Sequence, residues 1–182
     1  NVVASVIKNV ILGLKSANAN SKGAIANIPY VTSIPYFTAV PYNPVPLSSA
    51  SASTLNTSFS AINAKLKSVG MAERFSTLTA STSNPVLIID KSLTDISAYL
   101  PAQYAIYGQA RHATANDLIL LPASSVIGID PTTGLPPTST STKINGVTIP
   151  LADQLVLTEK EAAKVIAATD AYNASISSLA SA

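Results

Sequence analysis

Apolar positions recur along this chain with two different periods, and the switches between them mark its elements. From Val2 to Leu14, residues Val2, Val3, Val6, Ile7, Val10, Ile11 and Leu14 fall on one wide helical face, and "NANSKG" stops that helix with Asn, Ser and Gly. "GAIANI" follows. It is too short for a helix and reads as a strand covered on both faces. Prolines at 29, 35, 41, 44 and 46 then remove backbone donors and hold their predecessors extended, which excludes regular helix from about Ile28 to Leu47. Tyr30, Tyr36, Phe37 and Tyr42 give this run the bulk to pack on a domain.

Leu55, Phe59, Ile62, Leu66 and Val69, alternately four and three apart, predict a second helix. "NPVLIID" (Asn84 to Asp90) and "NDLILLP" (Asn116 to Pro122) read as strands, and "KINGVTIP" as a hairpin whose Asn145-Gly146 suits a type I′ turn. "DPTTGLPPTSTST" (Asp130 to Thr142) reads as exposed linker. Thr158 and Glu161 in "TEKE" form a capping box before a last helix, whose face is Ala162, Val165, Ile166, Thr169, Tyr172, Ile176 and Leu179. A helix closely followed by a doubly covered strand is half of a parallel α/β unit. As a central strand "GAIANI" needs a neighbour on each side. Few other strands are available, so the expected partners are N- and C-terminal segments outside this sequence, or another chain.

Composition narrows the function classes. Hydrophobic residues make up 47% and charged residues only 11%, so the surface relies on Ser, Thr and Asn, a pattern commoner in secreted and envelope proteins. The net charge of +2 is scattered without a basic stripe, which leaves no electrostatic footprint for nucleic acid. Zero cysteines exclude disulfides and thiolate chemistry. One histidine and dispersed carboxylates give no metal-ligand cluster, and no cofactor motif is present. No spacing pairs His112 with a particular serine, so it reads as a structural or surface histidine. Glu159 and Glu161 read as first-turn complements of a helix dipole. Asn56-Thr57-Ser58 and Asn173-Ala174-Ser175 fit the glycosylation pattern, which a Ser/Thr-rich chain meets often by chance.

Three stretches carry a resemblance: "KGAIANIPYVTSIPYFTAVPYNPVPL", "RHATANDLILLPASSVIG" and "PLADQLVLTEKEAAKVIAATDAYNASI". Together they resemble the SGNH (GDSL-like) hydrolases, the lipase and acylhydrolase family found as lipoproteins in Bacteroidetes. The resemblance covers most of the chain in order, and implies part of a three-layer α/β/α sandwich with a parallel sheet. It implies one incomplete domain over 1–182: helix, strand and Pro/Tyr loop in 1–47, an insertion in 48–149, and a core helix in 150–182. The Pro/Tyr run would leave the carboxyl end of a parallel strand, where such sheets place ligands. Thr32, Ser33, Tyr36 and Phe37 would then line a cleft for an acyl or alcohol group, or else simply pack the loop.

The family's Ser block, oxyanion Gly and Asn, and D-x-x-H have no match here. "QARH" (Gln109 to His112) lacks the Asp, "TAND" (Thr114 to Asp117) lacks the Gly of G-x-N-D, and no G-x-S-x-G occurs, so no catalytic residue is carried over. The resemblance implies the middle segment of a cell-envelope serine esterase or lipase acting on an ester or acylated substrate, with its catalytic residues elsewhere. The alternative is a non-catalytic envelope lipoprotein in a surface protein complex, using the insertion to bind.

Overall fold

The computed structural model describes residues 2–180, which divide into two units. The first joins residues 2–32 to 163–180; the second is Ser33–Ala162. Residues 33–47, grouped by sequence with the first segment, therefore belong to the second unit.

In the first unit, helix α1 is Val2–Ala17, and its apolar face is exposed: no residue of the helix is buried. Residues 24–28 form no strand, against the expectation of a central parallel strand. Ile25 and Ile28 are exposed, and the Ile28 N–H and C=O bond to the side-chain amide of Asn173, at 2.7 and 2.9 Å. A strand exists only where another backbone supplies its ladder. Here an amide side chain on the last helix, α4 (Glu159–Ala180), takes that place. Tyr30 likewise donates its hydroxyl to Asp170 of α4.

The second unit overturns the three-layer sandwich. Its sheets are two-stranded and antiparallel among the described residues: β1 (Leu87–Ile89) pairs β2 (Ala110–His112), and β3 (Leu118–Ile119) pairs β4 (Val156–Leu157). Antiparallel strands this short pair without the crossover helix that a parallel sheet requires. The run around β1 is continuously apolar because it is covered on both sides. Leu87 enters one buried cluster with Phe59, Ile62, Leu66, Phe75 and Ala110, while Val86 and Ile88 enter another with Val45, Ile119, Leu151 and Val156. Its second edge bonds to loop backbone, Leu87 N–H to the Gly146 carbonyl at 2.8 Å and Ile89 N–H to that of Leu151 at 3.1 Å.

Two local expectations also change. Helix α2 (Pro35–Thr38) gives one helical turn inside the proline run, because Pro35 stands at the first position, where its missing N–H costs nothing. "KINGVTIP" is not a hairpin. A type I′ turn needs positive φ at both central residues, yet Gly146 alone has it (φ 74°); the segment coils, with Val147, Thr148 and Ile149 all donating to the Ile144 carbonyl. Of the stretch read as exposed linker, residues 131–140 are exposed, but Asp130 at its start is buried, accepting from the Thr132 N–H and hydroxyl at 2.9 and 2.6 Å, and the whole stretch lies within the second unit.

Helix α3 (Ser49–Ser68) forms as its spacing predicts, and buries Ala52, Phe59, Ile62 and Leu66. The Ser48 side chain caps its start by accepting from the Ser51 N–H at 3.1 Å. Gly70 (φ 75°) ends it, and the Met71 N–H returns to the Leu66 carbonyl at 3.0 Å. The chain then runs extended along α3 with two asparagines in place of a neighbouring strand. Asn63 accepts from the Arg74 and Phe75 N–H groups (3.1 and 3.2 Å) and donates to the Phe75 carbonyl (2.7 Å). Two helical turns earlier, Asn56 grips Leu78 in the same two-way manner. Removing either amide strands backbone groups against a packed surface. Asn63→Ala should lower unfolding free energy by about 1–3 kcal/mol in urea titration, whereas Ser60→Ala, on the same helix but exposed, should change it by less than ~0.5 kcal/mol.

Candidate functional site

The extended segment after α3 brings a serine to the chain's single histidine. Ser76 presents both its N–H (3.0 Å) and its Oγ (2.9 Å) to Nδ1 of His112 at the end of β2. The rings of Phe59 and Phe75 stack at 4.8 Å, and the imidazole meets them edge-on at 4.9 and 5.7 Å. Beside this pair opens a depression of about 330 Å³, walled by Phe59, Asn63, Lys67, Glu73, Phe75 and Ser76. The distance is that of a nucleophile and its base.

The electrostatics do not complete the mechanism. Because the Ser76 N–H donates to Nδ1, that nitrogen is already an acceptor to the backbone. His112 is 5% exposed, and burial among aromatic rings pushes its pKa down to about 4. An imidazole that weakly basic is a poor proton acceptor near neutrality. Among the described residues, no carboxylate forms an ion pair with it. The pair locks segment 74–78 to β2, and His112 is a structural residue.

The strongest charge cluster lies one residue away. Arg111 sends Nε to Asp90 at 2.7 Å, and both terminal nitrogens to the two oxygens of Asp117, at 2.6 and 2.7 Å. Asp117 also accepts from the N–H and hydroxyl of Thr114 and, across the fold, from the Glu159 N–H at 2.9 Å, so it caps α4. Burial alone would raise both carboxyls and lower the guanidinium. Hydrogen bonds outweigh it: Ser92 and then Arg111 hold Asp90, and Arg111 with the Thr114 and Glu159 N–H groups holds Asp117, below the ordinary carboxylate range, while the two carboxylates push Arg111 above its own. The carboxylates are saturated by protein donors and are not offered to a ligand. No group of three His, Asp or Glu side chains among the described residues could hold a metal ion.

Of the cleft candidates, Thr32 closes the first unit, while Ser33, Tyr36 and Phe37 begin the second. Thr32 and Ser33 sit in a short 3-10 turn, Val31–Ser33, and Tyr36 and Phe37 in α2. The structure brings Tyr36 and Phe37 together, edge to face at 5.1 Å, with Tyr36 41% exposed and Phe37 half-buried. Three depressions in the second unit have other walls. Glu159 and Glu161 serve the start of α4: Glu161 accepts from the Thr158 N–H and hydroxyl (2.9 and 2.8 Å), and Glu159 from Asn116. The amides of Asn56 and Asn173 are both engaged with backbone, so neither sequon presents a disposable nitrogen.

Comparison with protein-family models, with curated proteins and with solved structures gives no match.

The buried imidazole makes an acid-stability prediction. The unfolded chain takes up a proton near pH 6.5, which the folded chain refuses until about pH 4. Stability contributed by neutral His112 is therefore intact above pH 6.5 and falls through that window, by about 3 kcal/mol at most. The depressed carboxylates contribute their loss only as pH drops below their unfolded value of 3.8. Urea midpoints should fall between pH 6.5 and 4 in the native chain, and stay nearly level there in His112→Gln.

Proposed function

We propose that this chain is a segment of a serine ester hydrolase of the SGNH type, in which residues 33–162 act as a non-catalytic module. The Ser nucleophile, oxyanion donors and Asp/His pair lie outside these 182 residues. In that chemistry the Ser Oγ attacks the ester carbonyl while His takes its proton. The proton then goes to the leaving alcohol, N–H and Asn donors hold the oxyanion, and water hydrolyses the acyl-enzyme.

The observation that supports reading residues 33–162 as a non-catalytic module is the condition of His112. A serine hydrolase needs an imidazole that accepts a proton near pH 7. The sole histidine of this chain is buried and weakly basic, and its Nδ1 accepts from the backbone. In the proposed enzyme the base is supplied from elsewhere. The unit division supports the module: a continuous unit, 33–162, interrupts a discontinuous one. The catalytic class itself rests on the three stretches of sequence resemblance.

A second reading, a non-catalytic envelope accessory protein, draws on the same module, since its buried side-chain polar atoms are all hydrogen-bonded and its one Ser-His contact has a buried, weakly basic imidazole.

Exposing the purified chain to a fluorophosphonate probe and a short-chain ester tests the assignment. The expected result is no labelled serine and ester loss at the buffer rate. Stoichiometric labelling of Ser76 that vanishes in His112→Ala would overturn it. If a longer protein containing this chain also turns over no ester, the accessory reading replaces the hydrolase.

A further inference from the structure

We propose that α1 is a surface-seeking helix that binds an anionic lipid bilayer, lying flat in its headgroup region. The inference is independent of the ester-hydrolase reading and starts from an imbalance between the units. Both buried apolar clusters are drawn from the second unit, and among the described residues no apolar side chain of the first unit is buried. On α1, Val2, Val3, Val6, Val10 and Leu14 are 56–81% exposed. Apolar side chains displayed along a whole helix mark a surface that is covered when the protein works.

Charge identifies what covers it. Lys8, Lys15 and Lys22 are the charged residues of positions 1–30, and no acid accompanies them. At 100° per residue, Val2, Val6, Val10, Val3, Leu14, Ile7 and Ile11 sweep one continuous arc of about 180°, while Ser5, Asn9 and Ser16, with Leu12 among them, lie in the other half of the circumference. Lys8 and Lys15, seven residues apart, fall together on the border between the two arcs. There their stems can follow the apolar face while the ammonium groups reach phosphate level. Elsewhere in the first unit, Lys164 is balanced by Asp170, so the positive charge gathers on the α1 side of the sequence. A protein partner matched to this face would need acids on its rim, whereas an anionic bilayer supplies apolar core and negative border together. The 16 residues of α1 run for roughly 24 Å, and an apolar arc with lysines on its border is the pattern of a helix lying on a surface.

The test is co-sedimentation of the full chain with sucrose-loaded vesicles of phosphatidylcholine, with and without phosphatidylglycerol. Binding should be about 30-fold tighter with the anionic lipid, and should weaken as salt rises. Lys8→Glu/Lys15→Glu should remove that preference. Val6→Asp/Val10→Asp should abolish binding while circular dichroism shows the helix content kept. Equal binding to both vesicle types, or binding unaffected by these substitutions, overturns the proposal. So does self-association, seen by sedimentation velocity, that the Asp variant dissolves, because a second copy would then be the occupant.

Discussion

One guanidinium organises the second unit. Arg111 sits on β2 opposite Ile88 of β1, 14% exposed, and fixes two carboxylates that come from different parts of the chain. Asp90 ends the β1 run; Asp117 ends the turn that leads into β3 and caps α4. The geometry suits Arg alone, because its planar fork meets both oxygens of Asp117 while Nε reaches Asp90. Breaking such a pair leaves a buried carboxylate without its partner, which costs about 3–5 kcal/mol. The strands it joins are two or three residues long and could not fix this arrangement through their own ladders.

The same economy runs through the rest of the unit. With 11% charged residues and little regular sheet, backbone groups are satisfied by side-chain amides and rings instead of by strands. Asn56, Asn63, Asn84 and His112 together hold the extended stretch from Arg74 to Thr79. Asn84 is 2% exposed and gives its amide to the Val45 and Thr79 carbonyls. In such a scaffold the lone histidine is buried against aromatic rings and accepts from the Ser76 backbone, and it is the burial that leaves a Ser-His contact of catalytic length with a weakly basic imidazole.

How much of this was legible depends on the range of the interactions. The helices near Val2, Leu55 and Ala162 were readable because their period is local, as was the Thr158–Glu161 cap. The β1 and β3 segments were readable as apolar runs, but their partners and antiparallel sense were not. "GAIANI" has the composition of a buried strand, yet composition cannot supply the neighbour that makes one. Ser76 and His112 meet across 36 positions, and Asp90 and Arg111 across 21, with no spacing rule to announce either. The available signal was weaker: an Arg flanked by Ala and His in a short apolar setting, with Asp at both ends of the neighbouring apolar runs.

The arrangement of the second unit depends on Arg111 as a fork that no other side chain replaces. The most direct measurement combines urea unfolding of Arg111→Lys with hydrogen exchange at the Glu159 amide, which bonds Asp117. An ammonium cannot reproduce the three-way geometry, so the variant should lose about 2 kcal/mol or more, and the Glu159 amide should exchange faster as Asp117 is released. Stability within ~0.5 kcal/mol of the native chain, with Glu159 protection unchanged, would show that charge alone suffices and that the fold does not depend on this fork.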